Sequence, residues 1–117
     1  MKPFVKFLIP VLALAAQIAA AEPAATDNEL AAVDELGRVN GTALACSRAD
    51  LVAKAKALMI ARVPKARRYG EAFEAATDAA FRAQTANPSC PVDVILSLRL
   101  EAADLQLGNL FPPTVPQ

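Results

Sequence analysis

The first 21 residues limit the fold most, because they have the pattern of a secretory signal peptide rather than of a folded domain. Two lysines precede an apolar run over 7–20, and three alanines close the segment. The run has 14 residues, fewer than the ~20 that a transmembrane helix needs. We therefore predict a signal peptide over 1–21 that is cleaved after Ala21 or Ala20, with an uncleaved anchor as the alternative.

After cleavage, one small domain of nearly neutral charge remains. The leader contains two of the twelve basic residues and none of the twelve acidic ones, so the mature chain has a formal charge of −2. This balance argues against binding to nucleic acid, which needs a strongly basic surface. Alanine is abundant and aromatic residues are few, a composition that favours closely packed helices.

Cys46 and Cys90 are the two cysteines of the chain. An exported chain enters an oxidising compartment, where an even number of cysteines in a small domain indicates a disulfide. With two cysteines a single pairing exists, and we predict a structural Cys46–Cys90 bond. The alternative is a redox-active pair, although the chain lacks a Cys-x-x-Cys spacing and any histidine that would lower a thiol pKa.

The apolar residues after the leader follow a helical period, and no internal repeat occurs. We predict an all-α fold, a small bundle of three to five helices with one disulfide. The helical domain covers 22–109, and a proline-rich tail follows over 110–117. The helices are predicted over about 27–45, 47–63, 64–85 and 90–107.

Two glycines complicate the first of these helices. Gly37 and Gly41 lie four positions apart, so they can let another helix approach closely; alternatively, Gly37 ends the helix and a loop follows through Asn40. The continuous helix is preferred because the apolar face resumes in register. The second helix is apolar nearly all round and is therefore the candidate for the central helix.

Caps and breakers set the ends of the other helices. Ser47 is the candidate N-cap of the second helix, and Ser89 or Cys90 that of the fourth. Pro64 must end or kink the second helix. Gly108 provides a C-terminal stop for the fourth.

Catalytic chemistry is not indicated. The absence of histidine removes the commonest general base and the usual zinc ligand. The serines have no visible base partner, no glycine-rich phosphate loop occurs, and the acidic residues of the third helix have the spacing of a solvated face. We therefore predict a protein that is not an enzyme, with no metal and no cofactor.

A cluster of basic residues lies where the second and third helices meet. Lys65, Arg67 and Arg68, here called the basic corner, follow directly after Pro64. Such a cluster can bind an anionic partner, for instance phospholipid head groups or an acidic protein surface. The alternative is an ordinary solvated corner.

The fourth helix carries more apolar surface than one helix of a small bundle needs. Its first ridge consists of Ile95, Leu98, Ala102 and Leu105. Its second ridge consists of Leu96, Leu100, Ala103 and Leu107. The simpler interpretation is that the helix packs into a groove and contacts two neighbours at once. Alternatively, the second ridge, together with Phe81 and Phe111, forms a surface for a partner or a second copy.

The general plan resembles that of small periplasmic acid-stress chaperones, which are exported, helical, similar in length and held by one disulfide. The resemblance is one of layout and involves no residue motif. We expect a periplasmic or secreted accessory module that docks on another envelope protein or self-associates, with no membrane span after cleavage. Contact of the basic corner with anionic lipid is a further possibility. The alternatives are an acid- or stress-responsive chaperone and a weak redox protein that uses the cysteine pair.

Overall fold

The computed structural model describes residues 24–113, which form four α-helices and no β-strand. The helices are α1 (Asp27–Ala45), α2 (Ala49–Arg62), α3 (Arg67–Ala86) and α4 (Asp93–Leu110). The prediction of an all-α bundle with one disulfide is confirmed. The predicted signal peptide and the last four residues of the tail lie outside the described residues.

The central helix is α1, which packs against each of the other three. It begins with a capping box, in which Thr26 Oγ1 accepts from the Glu29 amide at 3.1 Å and Glu29 Oε1 accepts from the Thr26 amide at 2.9 Å. The apolar residues that α1 buries are Ala32, Val33, Leu36, Val39 and Ala43.

The prediction that the second helix is central was wrong. In α2 only Leu51 and Ala55 are buried, and Ile60 is 73% exposed. The apolar back of α2 consists mostly of alanine, whose single methyl group offers little area to bury. Alanine favours helix formation without requiring burial, so an alanine-rich helix can be apolar all round and still lie at the surface.

Close contact between α1 and α3 depends on the two glycines of α1, which is continuous as preferred from the sequence. A Cβ atom at Gly37 would lie 2.7 Å from the Phe73 carbonyl oxygen, and one at Gly41 would lie 2.1 Å from the Thr77 carbonyl oxygen. The two backbones can approach this closely only because both positions lack a side chain. Between the glycines, Asn40 is buried and its side-chain amide donates to Thr77 Oγ1 at 3.2 Å.

Ser47 ends α1 rather than capping α2, which corrects the predicted N-cap. Its φ is 58°, in the left-handed region, and its amide donates to the Leu44 carbonyl at 3.2 Å. The Arg48 amide donates to the Ala43 carbonyl at 2.8 Å. These two bonds form a Schellman motif with Ser47 in the position that glycine usually takes. Arg48 is the N-cap residue of α2 and makes no side-chain capping bond.

The disulfide joins Cys46, at the end of α1, to Cys90, just before α4, with 5.9 Å between their Cα atoms. The predicted Ser89 or Cys90 cap was wrong, since α4 begins at Asp93 after Val92. The loop before it is closed instead by Gln84, whose side-chain amide donates to the carbonyls of Asn87 and Ser89, both at 3.0 Å.

At its other end α4 passes through Gly108 and continues to Leu110, so the predicted stop was also wrong. Leu110 and Phe111 pack against the core, and this burial favours continuation of the helix beyond the glycine.

Candidate functional site

Two opposite faces of α4 are apolar, and the structure buries one of them. The buried face is the second ridge: Leu96, Leu100, Ala103 and Leu107 are each at most 4% exposed. These residues face α1 and α2, the two helices that α4 contacts. The prediction that this ridge forms a partner surface is therefore corrected, because it belongs to the protein's own core.

The first ridge is the one that remains in solvent. Exposed fractions are 46% for Ile95, 55% for Leu98 and 72% for Leu105, and Val94, beside them on the same face, is 59% exposed. We call this surface the α4 stripe; its members are Val94, Ile95, Leu98, Ala102 and Leu105. The simpler interpretation of the sequence was that α4 packs into a groove and contacts two neighbours at once. The helix does contact two neighbours, but it uses a single ridge to do so. Sequence reasoning overlooked Val94, although it lies four residues before Leu98 and thus on the same face.

Ion pairs lie on both flanks of α4 and join it to α1 and α2. On the α1 side, Arg99 Nε donates to Glu35 Oε1 at 3.0 Å. On the α2 side, Arg62 Nε donates to Asp104 Oδ1 at 2.9 Å. All four side chains are between 31% and 39% exposed, so the pairs are partly shielded from water and stronger than fully exposed ones. At the start of α4, Arg48 also contacts the Asp93 carboxylate.

A shallow cleft of about 270 Å³ lies between α2 and α4, next to the stripe. It is lined by Leu51, Lys54, Ala57, Leu58, Ser97, Leu100, Glu101 and Asp104. Glu101 separates the cleft from the stripe, since it lies on α4 between Leu98 and Leu105. Within residues 24–113, neither Glu101 nor Lys54 has an ion-pair partner. The stripe is therefore bordered on its α2 side by two unpaired charges of opposite sign.

The basic corner is less positive than its sequence indicates. Lys65 and Arg67 are exposed, but Arg67 Nε lies 3.6 Å from Glu71 Oε1. Arg68 is partly buried and lies near enough to Glu29 to help stabilise its carboxylate. Two of the three cations thus already face acidic groups of the same chain. The anion-binding role of Lys65, Arg67 and Arg68 stays a prediction.

Two aromatic residues were expected to extend the partner surface. Phe111 packs edge-to-face against Tyr69 of α3, with ring centroids 5.4 Å apart and ring planes at 82°. Its ring therefore already contacts another residue of the same chain. Phe81 is 40% exposed and lies in a groove between α1 and α3. Since α3 and α4 do not pack against each other, Phe81 belongs to a different surface from the α4 stripe.

Tyr69 and Glu29 connect the start of α1 to α3. The Tyr69 hydroxyl donates to Glu29 Oε1 at 3.1 Å. The Thr26 backbone amide, the Tyr69 hydroxyl and the charge of Arg68 together outweigh desolvation and hold the pKa of Glu29 below its ordinary value of 4.5. This carboxylate has a structural role in fixing two helices.

In the described part of the chain, no three potential metal ligands of the His, Cys, Asp or Glu type cluster together. The Cys46–Cys90 bond is the disulfide predicted from the sequence. Among residues 24–113, none of the helices combines the length and apolar character that crossing a membrane requires. The chain matches no model of a known protein family and shows no significant similarity to curated proteins or solved structures.

Proposed function

We propose that this protein is an exported, non-enzymatic docking module that binds another protein of the cell envelope through the α4 stripe. The observation that carries the proposal is that α4 leaves large aliphatic side chains in water while a complete second ridge fills the core. A helix of a small monomeric bundle needs one apolar face. A second face on the same helix, contiguous and bordered by polar residues, is the pattern of an interaction surface.

The energetics support the stripe as a docking surface. Full burial of one aliphatic side chain contributes about 1.5–3 kcal/mol, and the four large members of the stripe are 46–72% exposed. Their burial against an apolar helix therefore supplies several kcal/mol on this estimate, which is enough to offset part of the entropic cost of association. An apolar helix face in a partner is the complementary shape, as in helix-in-groove recognition.

In-cell crosslinking tests the proposal. The wild-type protein and a Leu98→Glu, Leu105→Glu double variant are expressed with their leader, crosslinked in the envelope, and purified for identification of attached proteins. We expect a defined partner with wild type and at least about a tenfold loss of its capture with the variant, because two buried carboxylates oppose docking.

Ile60→Glu is the matched control. It introduces the same charge at an equally exposed aliphatic residue on α2, away from the stripe, so capture should be unchanged. Equal capture by wild type and the α4 double variant would refute docking through the stripe. Charge reversal at Lys65, Arg67 and Arg68 tests separately whether the basic corner contributes.

A second candidate function is an acid-responsive chaperone, favoured by the way α4 is held. Each of the three ion pairs to α4 described above uses a carboxylate: Glu35, Asp93 or Asp104. Acid that neutralises these groups removes all three pairs and leaves excess positive charge, which favours a loosened state with exposed leucines. Light scattering of an aggregating client at about pH 3 tests this function, and no suppression by the purified protein would exclude it.

A further inference from the structure

The α4 stripe has the spacing of a helix-pairing seam. Ile95, Leu98, Ala102 and Leu105 follow one another at intervals of three, four and three residues, which is the a and d pattern of a heptad. All four are exposed. Asn109, also exposed, takes the next position of the same seam. The spacing covers two heptads of a helix of 18 residues, so the seam runs along most of α4.

We propose that a second copy of this chain covers the stripe, with the two α4 helices antiparallel. The inference rests on the proposed function in one respect, namely that the stripe is a docking surface. An isologous pair around a two-fold axis is the commonest arrangement of oligomers, and it requires a surface that is complementary to itself. The α4 stripe meets that requirement in both side-chain size and charge.

Size complementarity follows from the order of residues along the seam. If the two-fold axis crosses α4 at the level of Leu100 along the helix, Ile95 of one copy lies opposite Leu105 of the other. Leu98 then lies opposite Ala102, so that a large side chain meets a small one in both central layers. In a parallel pair the two Ala102 residues would face each other and leave a void, which costs packing contacts.

Charge complementarity concerns the edges of the same pair. Near the axis the Glu101 carboxylates of the two copies approach each other, and each is accompanied by the unpaired Lys54 that lines the same cleft. Lys54 of one copy can therefore pair with Glu101 of the other. On the opposite edge, Arg99 of each copy forms an ion pair with Glu35 of the same copy. Each edge thus combines acidic and basic groups from each copy, and the two Lys54 ammonium groups offset the charge of the two Glu101 carboxylates.

The expected dimer is weak. A helix of this length is about 27 Å long and about 10 Å across, so one helix face contributes less than the ~800 Å² per partner that is typical of stable complexes. A weak pair also leaves the stripe available to a competing helix of another envelope protein. Association therefore has to be measured at high protein concentration.

Sedimentation equilibrium of the oxidised mature protein, from about 10 µM to about 1 mM, tests self-association. We expect a monomer–dimer equilibrium whose dissociation constant rises at least about tenfold in Leu98→Glu, because the carboxylate would face an apolar layer. Ile60→Glu should dimerise as wild type does. A wild-type protein that stays monomeric up to the highest concentration, or a dimer that is insensitive to Leu98→Glu, would overturn the proposal.

Single added cysteines and a bismaleimide with a spacer of about 8 Å test the orientation. Ala102→Cys lies two residues from the axis, so the two copies of this position are about 6 Å apart along the helices, whereas the two copies of Asn109→Cys are about 27 Å apart. We expect a covalent dimer with Ala102→Cys and little with Asn109→Cys. Equal crosslinking at both positions would indicate a parallel pair and overturn the antiparallel arrangement.

These results are separable from the test of the proposed function. A monomeric protein whose envelope partner is still lost in the α4 double variant would overturn self-pairing and leave the docking function standing. A dimer of the expected orientation without any captured partner would support self-pairing and count against docking on another protein.

Discussion

Substitution of Gly41 by alanine tests the close crossing of α1 and α3, on which the position of α3 depends. The added Cβ would lie 2.1 Å from the Thr77 carbonyl oxygen and 2.9 Å from Ala80 Cβ. A backbone carbonyl in the middle of a helix cannot rotate away. An ordinary carbon–oxygen contact needs about 3.3 Å, so α1 and α3 must separate locally by about 1 Å or more.

The magnitude follows from two opposing effects. Overpacking in a well-packed interface costs about 1–3 kcal/mol, and a clash with backbone falls at the upper end. Replacing glycine by alanine inside a helix returns up to about 1 kcal/mol through helix propensity. The net expectation for Gly41→Ala is therefore a loss of about 2 kcal/mol in unfolding free energy, or roughly 8–16 °C in Tm for a domain of this size.

Gly70 supplies the matched control, because it also lies inside a helix and a Cβ there would have no neighbour within 4 Å. Gly70→Ala has the propensity gain without the clash, so it should raise the unfolding free energy by up to about 1 kcal/mol. Urea denaturation followed by circular dichroism at 222 nm measures both variants. If Gly41→Ala is as stable as Gly70→Ala, the close crossing does not exist as described.

Three further predictions concern the ends of α1. Ser47→Gly should stabilise the fold by about 0.5–1 kcal/mol, because glycine adopts the left-handed conformation of the Schellman position without steric cost; a loss of stability in thermal unfolding would contradict the assignment. Reduction of the disulfide, which spans 44 residues, should lower the unfolding free energy by up to about 4 kcal/mol, measured by urea denaturation with and without dithiothreitol. The folded-state pKa of Glu29 is below its ordinary value of 4.5, so its stabilisation is present above that pH and is lost as the pH falls through the folded pKa. Stability of Glu29→Gln should therefore depend less on pH below 4.5, and an unchanged pH profile would argue against the bonds to Thr26 and Tyr69.

The parts of the fold that local chemistry decides could be predicted from the sequence. The bounds of α1, the break at Pro64 and the disulfide are each set by residues close in sequence or by a unique pairing. The capping box at Thr26 and Glu29 is also visible in the sequence, since the two residues have the spacing of three that defines the motif. Arg67 with Glu71 and Arg82 with Asp78 form ion pairs at the i,i+4 spacing of α3, which the local sequence contains.

Other features depend on competition between local signals. Ser47 could cap α2 or end α1, and a serine in the left-handed conformation is uncommon enough that the cap was the better prediction. Gly108 is a common helix stop, yet burial of Leu110 and Phe111 beyond it outweighs the propensity cost of about 1 kcal/mol. In such cases the end of the helix depends on packing against residues that are distant in sequence.

The orientation of α4 is the feature that the local sequence predicts least well, and it determines which residues form the candidate site. Both ridges of α4 are equally apolar in composition, so helical periodicity alone cannot choose between them. Arg99 and Asp104 lie on the two flanks between the ridges. Their positions are compatible with either ridge facing the core, so the orientation cannot be predicted until the partner of each residue is known. Those partners, Glu35 and Arg62, are 64 and 42 residues away in sequence. In the structure α1 and α2 present them on the side of the Leu96 ridge, which faces inward while the α4 stripe remains in solvent. The long-range ion pairs thus favour the observed orientation of α4, and exchange of the charges in either pair should restore stability where a single reversal lowers it.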